Sequence, residues 1–303
     1  MYDIIIVGAG PAGLSAAIYI TRSGNSVLLL EAQNYGGQII NTPEIENYPG
    51  IKQISGFEFA TNLYEQVIAL GAEIKYEKVA KISDDGKNKI VETESNKYQC
   101  KAIILATGAK NRLLGVENEE KFLGQGVSYC ATCDGAFFKG KTVAVVGGGN
   151  TALLDAGFLS SYCKKVYIIH RRDSFRGEEK LVEQLKKKAN VEFILKSRVV
   201  KLLGENKLEG IVVETVEEKE KSTVEVDGVF VAIGQSPENT AFSNLVELNP
   251  GGYISAPENC ETKTRGVFTA GDCRTKKVRQ LSTAAADGAV AAIAASEYIE
   301  EIK

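Results

Sequence analysis

Asp3-Ile4-Ile5-Ile6-Val7-Gly8-Ala9-Gly10-Pro11-Ala12-Gly13 opens the chain with an apolar run that ends in a glycine-rich turn. An unbroken apolar run predicts a strand buried on both faces, since a half-exposed strand alternates apolar and polar residues. A helical pattern follows to about Ser23, with Gly24 as its stop signal. Residues 26–30 read as a second strand, ending at Glu31. This order of strand, glycine turn, helix and strand is a βαβ unit.

The same grammar returns in the middle of the chain. Thr142-Val143-Ala144-Val145-Val146 leads into Gly147-Gly148-Gly149-Asn150-Thr151-Ala152, then a helical stretch to about Ser161 and a strand over 166–169. The closing elements also echo each other: Ile103-Ile104-Leu105-Ala106-Thr107-Gly108 resembles Val229-Phe230-Val231-Ala232-Ile233-Gly234. The pattern indicates an internal duplication of one nucleotide-binding architecture. A third piece, Val267-Phe268-Thr269-Ala270-Gly271-Asp272, is a strand ending in Gly-Asp, and a small-residue helix over about 283–299 closes the chain. The tail is expected to return to the first domain, leaving the second as an insertion. The expected fold class is α/β, with two Rossmann-like domains: 1–112 plus 245–303, and 113–244. The crossings are expected near 112–115 and 235–244, side by side as a hinge.

Composition sets outer bounds. The 303 residues suffice for two ordinary domains. A net charge of −3 gives no electrostatic footing for nucleic acid or an anionic membrane. Met1-Tyr2-Asp3 runs straight into a strand without the basic and apolar regions of a secretion signal, and no apolar run approaches a membrane helix in length. A cytoplasmic location is expected. In such a reducing compartment, six cysteines are not expected to form a structural disulfide framework. Cys100, Cys163, Cys260 and Cys273 read as packed thiols.

The two fingerprints ask for different nucleotides. In the first, Gly8 permits the tight turn, Gly10 lets the backbone approach a pyrophosphate, and Gly13 lets the helix sit close to the strand. Glu31 can accept bonds from an adenosine ribose with free hydroxyls, as in FAD or NAD. In the second, Gly147 and Gly149 repeat the pattern and Ala152 replaces the third glycine, an allowed variant. The acidic residue is missing; His170-Arg171-Arg172 stands in its place and Arg176 follows. Cations there suit a 2′-phosphate and favour NADPH over NADH. The plain alternative is a solvated basic face beside Glu178 and Glu179. His170, the single histidine, reads as a nucleotide contact or a structural residue rather than a base.

Between the fingerprints lies Cys130-Ala131-Thr132-Cys133, followed by Asp134. A close-spaced dithiol is a two-electron device. A structural zinc site needs four ligands, and the chain has no second close cysteine pair and one histidine. Inert packed thiols are the remaining alternative. Disulfide reduction needs a proton for the leaving thiolate. Asp134 is placed to shuttle it if Ala136-Phe137-Phe138 raises its pKa; otherwise it is a turn or N-cap residue.

Together these residues resemble the low-molecular-weight thioredoxin reductases over nearly the whole chain. The motifs are Gly-Ala-Gly-Pro-Ala-Gly at 8–13, Gly-Gly-Gln at 36–38, Glu-Asn-Tyr-Pro-Gly at 46–50, Ala-Thr-Gly at 106–108 and Cys-Ala-Thr-Cys-Asp-Gly at 130–135. They continue with Gly-Gly-Gly-Asn-Thr-Ala at 147–152, His-Arg-Arg-Asp-Ser-Phe-Arg at 170–176, Gly-Asp-Cys-Arg at 271–274 and Arg-Gln at 279–280. The resemblance implies three-layer ββα domains, a homodimer, FAD in the first site, NADPH in the second, and thioredoxin or a thioredoxin-like protein as partner. It assigns Cys133 to take electrons from the flavin, Cys130 to attack the substrate disulfide, and Asp134 as acid/base. Pro11, Ala12, Gln38, Asn47, Val79, Ala106, Thr107, Gly108, Gly271, Asp272, Arg279 and Gln280 fall at flavin-site positions, and Asn150 and Thr151 at the second nucleotide site. The rival readings are a flavin reductase fed by ferredoxin and a non-catalytic flavin or nucleotide redox sensor.

Overall fold

The parallel strands of the first sheet end at the same level. The computed structural model describes residues 1–303. It opens with β1 (Tyr2–Val7), α1 (Pro11–Arg22), β2 (Val27–Leu30), α2 (Gly56–Ala69), β3 (Glu73–Lys75), β4 (Val79–Asp84), β5 (Lys89–Thr93) and β6 (Lys97–Leu105). The sheet runs β3-β2-β1-β6-β5-β4. β1, β2, β3 and the second half of β6 are parallel, while β4, β5 and the first half of β6 form an antiparallel meander.

The apolar run of β1 is buried on both sides, as its pattern predicts. Ile4 and Ile6 face a cluster with α1, and Ile5 and Val7 face one with the meander residues Val79, Ile82 and Val91. Burying each such side chain contributes roughly 1.5–3 kcal/mol. The layers are therefore helices, parallel sheet and meander.

The chain leaves this unit through β7 (Lys110–Asn111) and enters a second one. There it forms β8 (Val127–Ser128), α3 (Ala131–Asp134), β9 (Thr142–Val146), α4 (Asn150–Leu159), β10 (Lys165–Ile169), α5 (Glu179–Lys186) and β11 (Val191–Ile194). β12 (Ser197–Leu203), β13 (Gly210–Thr215), β14 (Lys221–Glu225) and β15 (Gly228–Val231) complete the unit. The parallel sheet has the order β11-β10-β9-β15-β8, and β12-β13-β14 is an antiparallel meander. Alternation again divides two clusters: Val143 and Val145 pack with α4, while Ala144 and Val146 pack with Val199, Leu202 and Ile211 of the meander. The same three layers thus recur.

β16 (Gln235–Ser236) returns the chain, and β17 (Val267–Thr269) and α6 (Leu281–Glu301) close it. β17 joins β6 in parallel, and α6 packs on α1, with Ser15 Oγ donating to the Ala285 carbonyl at 2.7 Å. The units are Met1–Lys110 with Ser236–Lys303, and Asn111–Gln235. β7 and β16 pair as a two-stranded ribbon. Residues 236–244, expected in the inserted piece, lie with the first unit. Asn239 explains this: it is fully buried, accepts from Thr107 Oγ1 at 2.9 Å, and donates to the carbonyls of Gly252 and Cys273, both at 2.9 Å.

Register fixes where the strands stop. Val7 is level with Leu30 and Leu105, and Leu105 with Thr269. In the second sheet Val146 is level with Ile169 and Val231. Each ladder then extends one bond into the following turn: Gly8 N–H to Leu30 O at 2.8 Å, Ala106 N–H to Val7 O at 2.8 Å, and Gly147 N–H to Ile169 O at 3.1 Å. No helix is long and apolar enough to cross a membrane.

One side chain in the second unit works against stability. Asp155 on α4 is half-buried and has no hydrogen-bond partner, and burial alone pushes its carboxyl from 3.8 up to about 6. An acid held up in this way binds its proton more tightly folded than unfolded, so stability falls as pH rises between those two values and stays lower above them. Asp155→Asn is expected to stabilise the protein by roughly 1–2 kcal/mol at neutral pH. It should have little effect in acid. Urea unfolding of both proteins across pH checks this.

Candidate functional site

The two glycine turns meet the same steric demands. A Cβ on Gly8, whose φ is +106°, would lie 2.4 Å from the Ala106 carbonyl oxygen. One on Gly147 would lie 2.3 Å from that of Ala232. A Cβ on Gly13 would fall 1.9 Å from the Gly8 oxygen, so helix and turn touch backbone to backbone. The middle glycines differ. Gly10 would meet only the Gly37 Cα at 4.0 Å, and Gly149 would meet nothing within 4 Å. The protein leaves room there, as close approach of a pyrophosphate requires. Gly10 and Gly149 are also the N-caps of α1 and α4, neither with a side-chain cap, whereas Ser55 caps α2 by accepting from Glu58 N–H. Uncapped N–H groups at a helix start form an anion site.

Around the first turn, Glu31 accepts from Ala9 N–H and Gln33 N–H, both at 2.8 Å. Its carboxylate lone pairs exceed these two bonds. The Gly271–Asp272 turn reaches the same place: a Cβ on Gly271 would be 2.8 Å from the Ala12 Cβ. Asp272 Oδ1 is buried with no hydrogen-bond partner, and burial pushes its carboxyl up. Arg279 donates to the Asp272 carbonyl at 3.3 Å and the Arg274 carbonyl at 3.2 Å, and its guanidinium sits 4.1 Å above the Tyr253 ring. Asn47 donates to Gln280 at 3.3 Å, and Gln38 donates to the Ala109 carbonyl. Ala106, Thr107 and Gly108 follow the end of β6, and Val79 starts β4 where its pairing with β5 shifts register. An orphaned buried oxygen is costly unless a ligand supplies a donor. With the open space at Gly10 and the uncapped α1, it fits a ligand with a pyrophosphate and hydroxyl donors, as FAD has.

Around the second turn, Arg171, Arg172 and Arg176 are exposed and make no ion pair. Glu178 is tied instead to Asn150, its N–H donating to Asn150 Oδ1 at 2.7 Å. The arginine loop is pinned to the turn, because Arg176 N–H donates to the Gly148 carbonyl at 2.8 Å. Three free cations beside an uncapped helix fit an anion-rich ligand such as NADPH. Thr151 is exposed on the first turn of α4, and Ala152 is fully buried. His170 is placed differently from its neighbours. It is buried, stacks on Phe175 at 5.2 Å, and its Nε2 lies 3.1 Å from the Ser174 carbonyl. A Cβ on Gly148 would enter its ring, at 2.1 Å. Burial lowers its pKa, and the nearby arginines add to this. It therefore packs as a neutral ring beneath the turn.

Cys130 and Cys133 form a disulfide with an S–S distance of 2.02 Å. Cys130 is the N-cap of α3, and its carbonyl accepts from Cys133 N–H at 3.3 Å and Asp134 N–H at 3.1 Å. Asp134, at the end of α3, accepts from Ser128 Oγ at 2.6 Å. Ser128 Oγ also accepts from Cys130 N–H at 3.0 Å, linking the acid to the cysteine backbone. Burial raises the Asp134 pKa, partly offset by the Ser128 bond. Of the expected apolar cover, Phe138 is buried, against Phe230, while Ala136 and Phe137 are exposed. Ser128, Asn239 and Asp287 belong to no motif. The one available signal was Asp287, a lone carboxylate within Ala284-Ala285-Ala286-Asp287-Gly288-Ala289.

The family profile described as pyridine nucleotide-disulphide oxidoreductase matches residues 2–288. A "34.2 kDa protein in rubredoxin operon" of Clostridium pasteurianum is 44% identical over 98% of this chain and 97% of its own length. The thioredoxin reductase of Bacillus subtilis (strain 168) is 42% identical, over 100% of this chain and 96% of its own length. Among solved structures, the thioredoxin reductase from Streptococcus pyogenes MGAS5005 superposes with a TM-score of 0.95 at 40% identity, covering 99% of both chains. The paired glycine turns, the disulfide between them and this full-length similarity lead to one conclusion: the chain belongs to the pyridine nucleotide-disulphide oxidoreductase family.

Proposed function

We propose that the chain is an NADPH-dependent flavoenzyme that reduces the disulfide of thioredoxin, or of a thioredoxin-like protein, through FAD and the Cys130–Cys133 pair. The observation that carries this is the Cys130–Cys133 disulfide with a half-buried carboxyl at Asp134, whose pKa burial raises. The first unit holds FAD with Gly8, Gly10, Pro11, Ala12, Gly13, Glu31, Gln38, Asn47, Val79, Ala106, Thr107, Gly108, Gly271, Asp272, Arg279 and Gln280. The second holds NADPH with Gly147, Gly149, Asn150, Thr151 and Ala152, its 2′-phosphate on Arg171, Arg172 and Arg176, and His170 supporting the turn from below. By resemblance the working form is a homodimer in the cytoplasm.

The chemistry FAD would supply when bound is two-electron transfer between NADPH and the disulfide. Everything else falls to side chains. Reduction opens the Cys130–Cys133 bond, and Asp134 supplies the proton for the thiolate that leaves. Cys130 returns that proton to Asp134 as it attacks one sulfur of the substrate disulfide, and the other sulfur leaves as a thiolate that takes the proton from Asp134. Cys133 then attacks the mixed disulfide at Cys130, which frees the second substrate thiol and restores the internal disulfide. One NADPH and one proton are consumed per disulfide opened.

Three outcomes follow from this assignment. Cys130→Ser and Cys133→Ser are expected to abolish thioredoxin reduction while NADPH still bleaches the flavin. Anaerobic spectra beside a thioredoxin-coupled assay check this, and loss of NADPH oxidation with an artificial acceptor in both variants would count against it. Because Asp134 acts in its protonated form and its pKa is raised, turnover should fall as pH rises through that pKa. Asp134→Asn should remove that limb and slow the disulfide step by about 10²–10⁴. Replacing Arg171 and Arg172 with Gln should raise KM for NADPH about tenfold or more while leaving that for NADH nearly unchanged. Equal effects on both nucleotides would contradict a 2′-phosphate site.

A further inference from the structure

Asp287 is buried seven residues into α6, a helix otherwise packed on α1 through small and apolar residues such as Ala291, Ala292, Ala295 and Ile299. Four donors converge on it. Gly271 N–H reaches Oδ2 at 2.9 Å, Arg274 reaches Oδ2 at 2.8 Å and Oδ1 at 3.0 Å, and Lys276 reaches Oδ2 at 2.9 Å. Arg274 is itself 4% exposed. A buried ion cluster is weak evidence for stability, because a well-packed apolar substitute commonly serves the fold as well. What this one adds is orientation. Every donor belongs to the Gly271–Lys276 segment, which carries Asp272.

The segment is held from a second side by Arg279, which donates to the carbonyls of Asp272 and Arg274. Gly271, at φ +81°, is pressed against Ala12 at the start of α1. Asp272 Oδ1 is left buried without a partner. A carboxyl oxygen that has no donor within the protein serves a ligand best if its position is fixed before the ligand arrives.

We infer that Asp287 is a positioning residue of the flavin site, holding the Gly271–Asp272 turn through the Gly271 N–H and Arg274 so that Asp272 is preset for the cofactor. The inference rests on the reading that the first unit binds FAD. It goes beyond the fingerprint residues, since Asp287 itself has all its bonds within the protein.

The test is a double-mutant cycle on FAD binding. Apoprotein of the wild type, Asp287→Asn, Asp272→Asn and the double variant is titrated with FAD by flavin fluorescence, and the visible spectrum of bound flavin is recorded. Asp287→Asn is expected to weaken FAD about tenfold or more and to alter the flavin spectrum. The double variant should bind no more weakly than the poorer single variant, since Asp287 acts through Asp272. Arg274→Lys, which keeps the charge and loses the two-point grip, should behave like Asp287→Asn. If Asp287→Asn does not fold, Arg274→Lys replaces it in the cycle. Unchanged affinity in Asp287→Asn, or multiplicative effects in the double variant, would overturn the inference alone. A wild-type chain that takes up no FAD overturns the flavin reading, and this inference with it.

Discussion

Burial of the parallel strands on both faces is the constraint from which the rest follows. Ile4, Ile5, Ile6, Ile103, Ile104 and Leu105 are fully enclosed, and so are Val143, Ala144 and Val145. No side chain in the body of these strands is available to a ligand. What these strands can offer a ligand therefore lies where they end, and because the strands are parallel and in register, they end together. Val7, Leu30, Leu105 and Thr269 close one sheet at one level, and the next residues are the Gly8 turn, Glu31, Ala106 and the Gly271 turn. Val146, Ile169 and Val231 do the same in the second.

The duplication turns that single constraint into two sites of different character. Both turns need a glycine where the chain crosses the neighbouring strand end, and both leave the middle glycine open toward a ligand. They diverge at the end of the strand that follows the helix, β2 in the first unit and β10 in the second. Glu31 binds back to the Ala9 and Gln33 amides, leaving a carboxylate suited to ribose hydroxyls. Arg171 and Arg172 remain unpaired and exposed, with His170 folded beneath them as a spacer. The two turns have nearly the same backbone and differ in the charge of the few residues that follow the next strand.

The disulfide occupies a different kind of place. It lies on a single turn of helix, tied by the Ser128 hydroxyl to both the Cys130 amide and the Asp134 carboxylate. A hydroxyl that donates to the acid while accepting from the cysteine backbone fixes their separation. Burial raises the carboxyl's pKa, against the opposing effect of the Ser128 bond.

Local pattern was enough for the sequence to determine the βαβ units, their repetition, the glycine turns, the acid-to-arginine exchange and the dithiol with its acid. Each is written in residues close along the chain, where spacing and side-chain type suffice. Tertiary structure alone decided the rest. It placed residues 236–244 with the first unit, because Asn239 bridges Thr107, Gly252 and Cys273. It sent His170 inward and left its arginine neighbours outside. It brought Asp287 to Gly271 and Arg274, and Ser128 to Asp134. These pairings depend on which polar groups folding strands away from water, and a buried donor or acceptor must find its partner wherever the chain brings one, at a separation that no local pattern encodes.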